Sequence, residues 1–172
     1  MNFDLTQEQQ MIKKTMREFA DKVVAPGAVE RDRTKEFPKQ AFKQLSDMGM
    51  MGLPFDEAYG GAGADSTSFA IVTEELSRVC ASTGITYSAH ISLGGAPLSL
   101  FGTEEQKQKY LPGLASGELF GAYALTEANA GSDARITLHR GRIAITDGEH
   151  SRVIDLADLP AVEGCDADVA LD

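Results

Sequence analysis

Residues 82–101 read "STGITYSAHISLGGAPLSLF" and carry no Asp, Glu, Lys or Arg. The run suits a helix of about five turns, yet it offers no polar side to water. It therefore predicts a segment lying inside a helical bundle or under a ligand. His90, the one imidazole in it, looks catalytic on paper. On so apolar a helix it reads first as a core or pocket-lining residue.

Helices are expected on both sides of this segment. Upstream, Asp65 or Ser66 can cap a helix whose Phe69, Val72, Leu76 and Val79 form one apolar stripe. The stretch 52–66, "GLPFDEAYGGAGADS", predicts a loop from its Pro, its four glycines and its turn-forming Asp residues. Pro38 suits the first turn of a helix with Phe42, Leu45 and Met48 facing inward. Thr6 and Gln9 form a capping-box pattern ahead of Ile12, Met16, Phe19 and Val23. Those residues share one face of a helix over 6–24, which Pro26-Gly27 ends. Downstream, Gly102 is placed to close the apolar segment, and Thr103 with Gln106 opens "TEEQKQKYL" by a second capping box. Pro112-Gly113 is expected to stop that helix.

The texture then changes. "ELFGAYALTE" reads as a strand running into a polar turn. Beyond Ala134, Ile136/Leu138 and Ile143/Ile145 alternate around "HRGR", a hairpin pattern, and "VIDLADLP" offers one more strand. The fold class is thus mainly α. An all-helical domain of about five helices occupies 1–117, the start of a β domain 118–134, and an acidic tail with a β-hairpin 135–172.

Composition narrows the function. A formal net charge of −10 without a Lys/Arg run argues against nucleic acid or an anionic membrane surface as partner. Cys80 and Cys165 have no metal-ligand spacing, so no metal site is expected, and reduced thiols suit a cytoplasmic protein. The N-terminus has no signal pattern, and no apolar run is long enough to span a bilayer. All eight lysines fall before residue 135, whereas eight Asp and Glu lie from Asp147 onward. That shift marks a boundary.

"YALTEANAGSDA", Tyr123–Ala134, is the candidate site. Thr126 sits where a strand should end, and its hydroxyl can donate or accept. Gly131 lets the backbone approach a ligand, and the Ser132 hydroxyl with nearby amides can hold a phosphate or a carbonyl oxygen. A turn in which Asn129, Gly131, Ser132 and Asp133 satisfy one another is the plainer account, and on residue types alone it is the commoner one.

Residues 1–134 closely resemble the N-terminal part of the acyl-CoA dehydrogenases, in particular the short-chain, butyryl-CoA-like members. Five blocks carry the resemblance in order: "DLTQEQQMIKKTMREFADKVVAP", "MGMMGLPFDEAYGGAGAD", "TEELSRVCASTGITYSAHISL", "FGTEEQKQKYLPGLASGE" and "YALTEANAGSDA". The resemblance implies FAD, held against Tyr123–Ser132, with Leu125 and Thr126 on the flavin ring. Gly131 and Ser132 would lie at the close approach, Ser132 beside the FAD pyrophosphate and the CoA part of the substrate. It implies removal of an α-proton while a β-hydride passes to the flavin, giving a 2-enoyl-CoA, as in fatty-acid β-oxidation. An electron-transfer flavoprotein would take the electrons. By family position Tyr87, Ser88 and Leu93 line the acyl pocket, although simple core packing is equally consistent.

No catalytic residue is expected within these residues. The family's general base is a Glu of a C-terminal helical region, and nothing points Glu127 at a substrate α-carbon. Glu127 is read as an ordered loop acid. After "GSDA" the family's "NG-x-K" wording is not legible in "RITLHRGRIAITDGEHSRVIDLADLP", so residues 135–172 are read as a divergent tail that does not match the family. Three readings stay open: a truncated, frameshifted or fused product, a divergent member, or a helical interaction and oligomerisation module. The composition change favours the first. Whether the chain is itself an enzyme stays open, and its uncovered apolar faces predict a homo-oligomer.

Overall fold

A computed structural model describes residues 4–123, together with the backbone of three strands between 135 and 155. The chain divides into two compact units, Met1–Tyr123 and Ala124–Asp172.

In the first unit, α1 (Gln7–Phe19) starts at Thr6, whose hydroxyl accepts from the Gln9 amide while the Gln9 side chain accepts from the Thr6 amide. The helix runs on as one π-turn, Ala20–Val24. Gly27 then adopts a left-handed conformation (φ 81°) and starts α2, Ala28–Thr34. Sequence patterning missed this helix because it buries no residue. A Glu30–Arg33 ion pair one turn apart lies along it. α3 (Lys39–Asp47) follows Pro38 and buries Ala41, Phe42 and Leu45. Short 3₁₀ turns at Met50–Gly52 and Glu57–Tyr59 punctuate the predicted loop, which nevertheless sends Leu53 and Phe55 into the core.

α4 (Ser66–Val79) is capped by Asp65, whose carboxylate accepts from the Ser68 amide at 2.7 Å. Val72 and Leu76 are fully buried, while Phe69 and Val79 are half-buried. The apolar segment of the sequence follows as α5 (Ala81–Ala89), a second π-turn (His90–Gly95) and α6 (Ala96–Phe101). α7 (Glu104–Ala115) opens with the expected capping box at Thr103 and Gln106. It does not stop at Pro112-Gly113 but continues through them. Proline removes the amide that would bond one turn back, yet Leu111, Leu114 and Ala115 are all buried. That burial carries the helix one turn past the breaker.

One core joins these elements. Met16, Leu45, Met51, Leu76 and Leu111 are completely enclosed, each contributing about 1.5–3 kcal/mol of burial. Glu75 is also enclosed: its carboxylate accepts two hydrogen bonds from the Arg17 guanidinium, both at 2.7 Å, and one from Arg78 at 3.2 Å. Arg78 reaches Asp21 as well, so the cluster ties α1 and its π-turn to α4.

In the second unit, β1 (Arg135–His139), β2 (Arg142–Asp147) and β3 (His150–Asp155) form an antiparallel meander in the order β1-β2-β3. Ile136 pairs with Ile145 and Leu138 with Ile143, the alternation visible in the sequence. Ile143 pairs with Ile154 on the other side.

Candidate functional site

The approach to the candidate loop is built from the end of α7. Gly117 turns the chain with φ 71°, and the Leu119 amide donates to the Gly113 carbonyl at 2.9 Å. The Ser46 hydroxyl donates to the Ser116 carbonyl, tying the turn to α3. From Glu118 to Tyr123 the chain is not a strand. A strand needs a ladder partner for its amides, whereas here the Gly121 amide donates to a side chain, the Nδ1 of His90, at 3.0 Å.

Two sets of contacts hold this segment on the helical unit. Phe120 packs edge-on against Phe42 at 5.3 Å and Phe37 at 5.6 Å between ring centroids, and it lies 5.7 Å from the His90 ring. Gly121 crosses Gly94 backbone on backbone: a Cβ on Gly94 would lie 2.4 Å from the Gly121 Cα, and one on Gly121 2.8 Å from the Gly94 Cα. No other residue type permits this approach without a backbone shift.

His90 is completely buried. Its Nε2 stands 3.1 Å from the Met51 carbonyl. Since Nδ1 accepts from Gly121, the ring carries its proton on Nε2 and donates it to Met51. Burial holds its pKa below the ordinary value, against the pull of the neighbouring Met51 and Leu114 carbonyls. The imidazole is neutral, enclosed and saturated, so it cannot serve as an acid or base to a ligand. Tyr87 is enclosed too, with its hydroxyl donating to the Met50 carbonyl at 3.0 Å and its ring against Phe69. Burial raises its pKa. Of the two accounts open for Tyr87, core packing is the one the geometry shows. Ser88 is half-buried, its carbonyl accepting from the Ser92 hydroxyl at 2.7 Å, and Leu93 is 45% exposed.

Tyr123, the first residue offered for the flavin, stands 58% exposed. Leu125, Thr126, Glu127, Gly131 and Ser132 lie outside the described residues. On the approach itself, Leu119, Phe120 and Tyr123 are each partly open to solvent.

Two other features lie in the helical unit, the first sharing Phe37 with the approach. An open cleft of about 800 Å³ lies between the end of α1, α2 and the start of α3, lined by Val23, Glu30, Arg31, Phe37 and Lys39 among others. Cys80, between α4 and α5, is half-buried. Burial pushes its thiol up, but hydrogen bonds with Ser82, Thr83 and Arg31 outweigh this and bring it to about 7. No group of His, Cys, Asp and Glu among the described residues could hold a metal ion, and no helix among them is long and apolar enough to cross a membrane.

Comparison with known proteins gives the family. Residues 6–118 match the family model described as "Acyl-CoA dehydrogenase, N-terminal domain". A probable acyl-CoA dehydrogenase, YngJ, of Bacillus subtilis strain 168 is 51% identical over 149 residues, 87% of this chain and 38% of that protein. That share exceeds what residues 1–134 supply, so similarity to this relative runs past Ala134. The structure of butyryl-CoA dehydrogenase from Megasphaera elsdenii superposes with a TM-score of 0.73 at 37% identity, covering 84% of this chain and 40% of that one. An acyl-CoA dehydrogenase complexed with FAD from Bacillus anthracis superposes with a TM-score of 0.70, also at 37% identity, covering 83% of this chain and 25% of that one. The chain thus spans about two fifths, or less, of the length of each of these relatives. It belongs to the acyl-CoA dehydrogenase family, of which it carries the N-terminal helical domain.

Proposed function

We propose that these residues supply the helical wall and the first flavin-contacting loop of a FAD-dependent acyl-CoA dehydrogenase acting on a short acyl-CoA. The observation that carries the reading is the fixed approach: Phe120 and Gly121 are locked onto the helical unit, and the chain leaves them through an exposed Tyr123 toward Leu125, Thr126, Gly131 and Ser132. Tyr123 and those four residues are the ones that would hold FAD, the hydroxyls and amides of Thr126 and Ser132 providing hydrogen bonds and Gly131 the close approach. Bound there, a flavin would supply the hydride acceptor for α,β-desaturation. The residues of this chain bind and orient. His90 offers no base, since both its ring nitrogens are used on backbone groups and the ring is enclosed. Electron-transfer flavoprotein as electron acceptor, a homo-oligomeric assembly and a cytoplasmic setting belong to the same reading.

The test is the purified 172-residue chain. Flavin absorbance, or its recovery on adding FAD, is the expected result, without turnover of butyryl-CoA by an artificial electron acceptor. A colourless chain that FAD cannot reconstitute would favour the second reading, a helical interaction module. That alternative draws on the open apolar side chains of Ile85, Leu100 and Phe101, which are 65%, 70% and 78% exposed. Turnover by this chain alone would overturn the division of labour proposed here.

A further inference from the structure

A phenylalanine would fill the space of His90 without bringing two polar nitrogens into a dry core, so the imidazole calls for a reason. Buried polar groups persist where they are fully hydrogen-bonded, and here both ring nitrogens are used on backbone groups of two different segments. Nε2–H donates to the Met51 carbonyl in the 3₁₀ turn, and Nδ1 accepts from the Gly121 amide on the approach to the candidate loop. The ring is thus a rigid bar of fixed length between the core and a segment with no sheet partner among the described residues.

Its surroundings sharpen that role. His90 begins the π-turn His90–Gly95, an interruption of helix register of the kind that re-aims side chains. Later in the same turn, Gly95 admits the Phe55 ring, since a Cβ there would lie 2.1 Å from Cζ, and Gly94 admits Gly121. One turn therefore seats on the core through Gly95 and receives the approach segment through Gly94. His90 sets the register between the two. We propose that His90 is a positioning residue that, through the Gly121 amide, fixes the approach segment up to Tyr123, from which the proposed flavin-contacting loop follows in sequence. This rests on the reading of that loop as a flavin site; the role itself is mechanical and involves no contact with substrate or cofactor.

Two substitutions separate the two hydrogen bonds. In His90→Asn the side-chain oxygen can stand near the Nδ1 position and still accept from Gly121, but it does not reach Met51. In His90→Gln the amide can reach Met51, but the acceptor facing Gly121 is lost. Hydrogen exchange at the Gly121 amide, the amide shift of Tyr123, thermal unfolding and FAD affinity are measured on the full chain. The expected result is that His90→Gln exchanges Gly121 about tenfold faster, as loss of one buried hydrogen bond predicts, displaces the Tyr123 signal and weakens FAD about tenfold. His90→Asn should keep all three near the parent values even where its unfolding temperature falls further.

Equal behaviour of the two variants would overturn the proposal, as would an FAD affinity that follows the unfolding temperature and not the Gly121 exchange; His90 would then be ordinary core. If the parent chain binds no FAD at all, the flavin reading fails on its own. Gly121 exchange and the Tyr123 signal then still decide for or against the positioning role.

Discussion

Along 81–101 the side that carries Tyr87, His90, Ile91 and Gly95 is closed, while the side that carries Ile85, Leu93, Leu100 and Phe101 is open. The two sides are equally free of charge, so hydropathy does not distinguish them. What differs is the presence of polar handles and of residues without a side chain. Tyr87 and His90 each end on a backbone group of the 3₁₀ turn, and Gly95 takes in the Phe55 ring. Ile85, Leu100 and Phe101 have only bulk to offer, and bulk alone does not specify a partner. An apolar helix can therefore be core on one side and unfinished surface on the other.

The largest effect should come from breaking the closed side. Tyr87→Ala should cost about 3–5 kcal/mol, because it opens a cavity and also removes one of the two hydrogen bonds to the Met50 carbonyl, leaving only the Leu53 amide. A denaturant titration followed by circular dichroism measures this, and a loss below about 1 kcal/mol would mean that the closed side is not core.

Next comes the ionic part of the same core. The Glu75 carboxyl is held below its usual pKa first by its hydrogen bonds with Arg17, against the opposing effect of burial, with Arg78 adding to the lowering. Its folded pKa lies below the unfolded one, so its stabilisation is complete above the ordinary carboxylate range and is lost as pH falls through the folded value. Glu75→Ala should cost about 2–3 kcal/mol at neutral pH, less than for a fully enclosed pair because Arg17 is half in water. The variant should also lose part of the acid-side decline in stability. An unchanged acid limb would assign that decline to other carboxylates.

The smallest effect on stability, and the sharpest contrast, belongs to the open side. Leu100→Ser combined with Phe101→Ser should change unfolding free energy by no more than about 0.5 kcal/mol. Light scattering should show less self-association than in the parent chain. A large loss of stability would mean that these residues are already covered.

What was legible in the sequence follows the range of the interaction. The capping boxes at Thr6 and Thr103 involve partners three residues away, so wording alone located them. The buried stripes of α3 and α4 follow from helical period. The helix stop at Pro112-Gly113 was misread because enclosure of Leu114 and Ala115, a tertiary effect, outweighs the local breaker. α2 left no trace because it buries nothing. "ELFGAY" reads as a strand from its apolar and aromatic residues, yet its ring and amide go to Phe42, Phe37 and His90. For the candidate site, the family blocks named the loop, but not how it is held. His90 bonds to positions 39 and 31 residues away, a distance over which no spacing rule reaches.

The Gly94–Gly121 crossing has an evolutionary corollary. Each glycine is excluded from change by main-chain atoms and not by a side chain, those of the other glycine and, for Gly121, the His90 carbonyl as well, so no second substitution can make room. A deep mutational scan should register the two as one blind spot: both intolerant, neither rescued by altering its partner. Drift in the surrounding aromatic rings would have to be absorbed by the rings alone, with the crossing as the fixed point about which they repack.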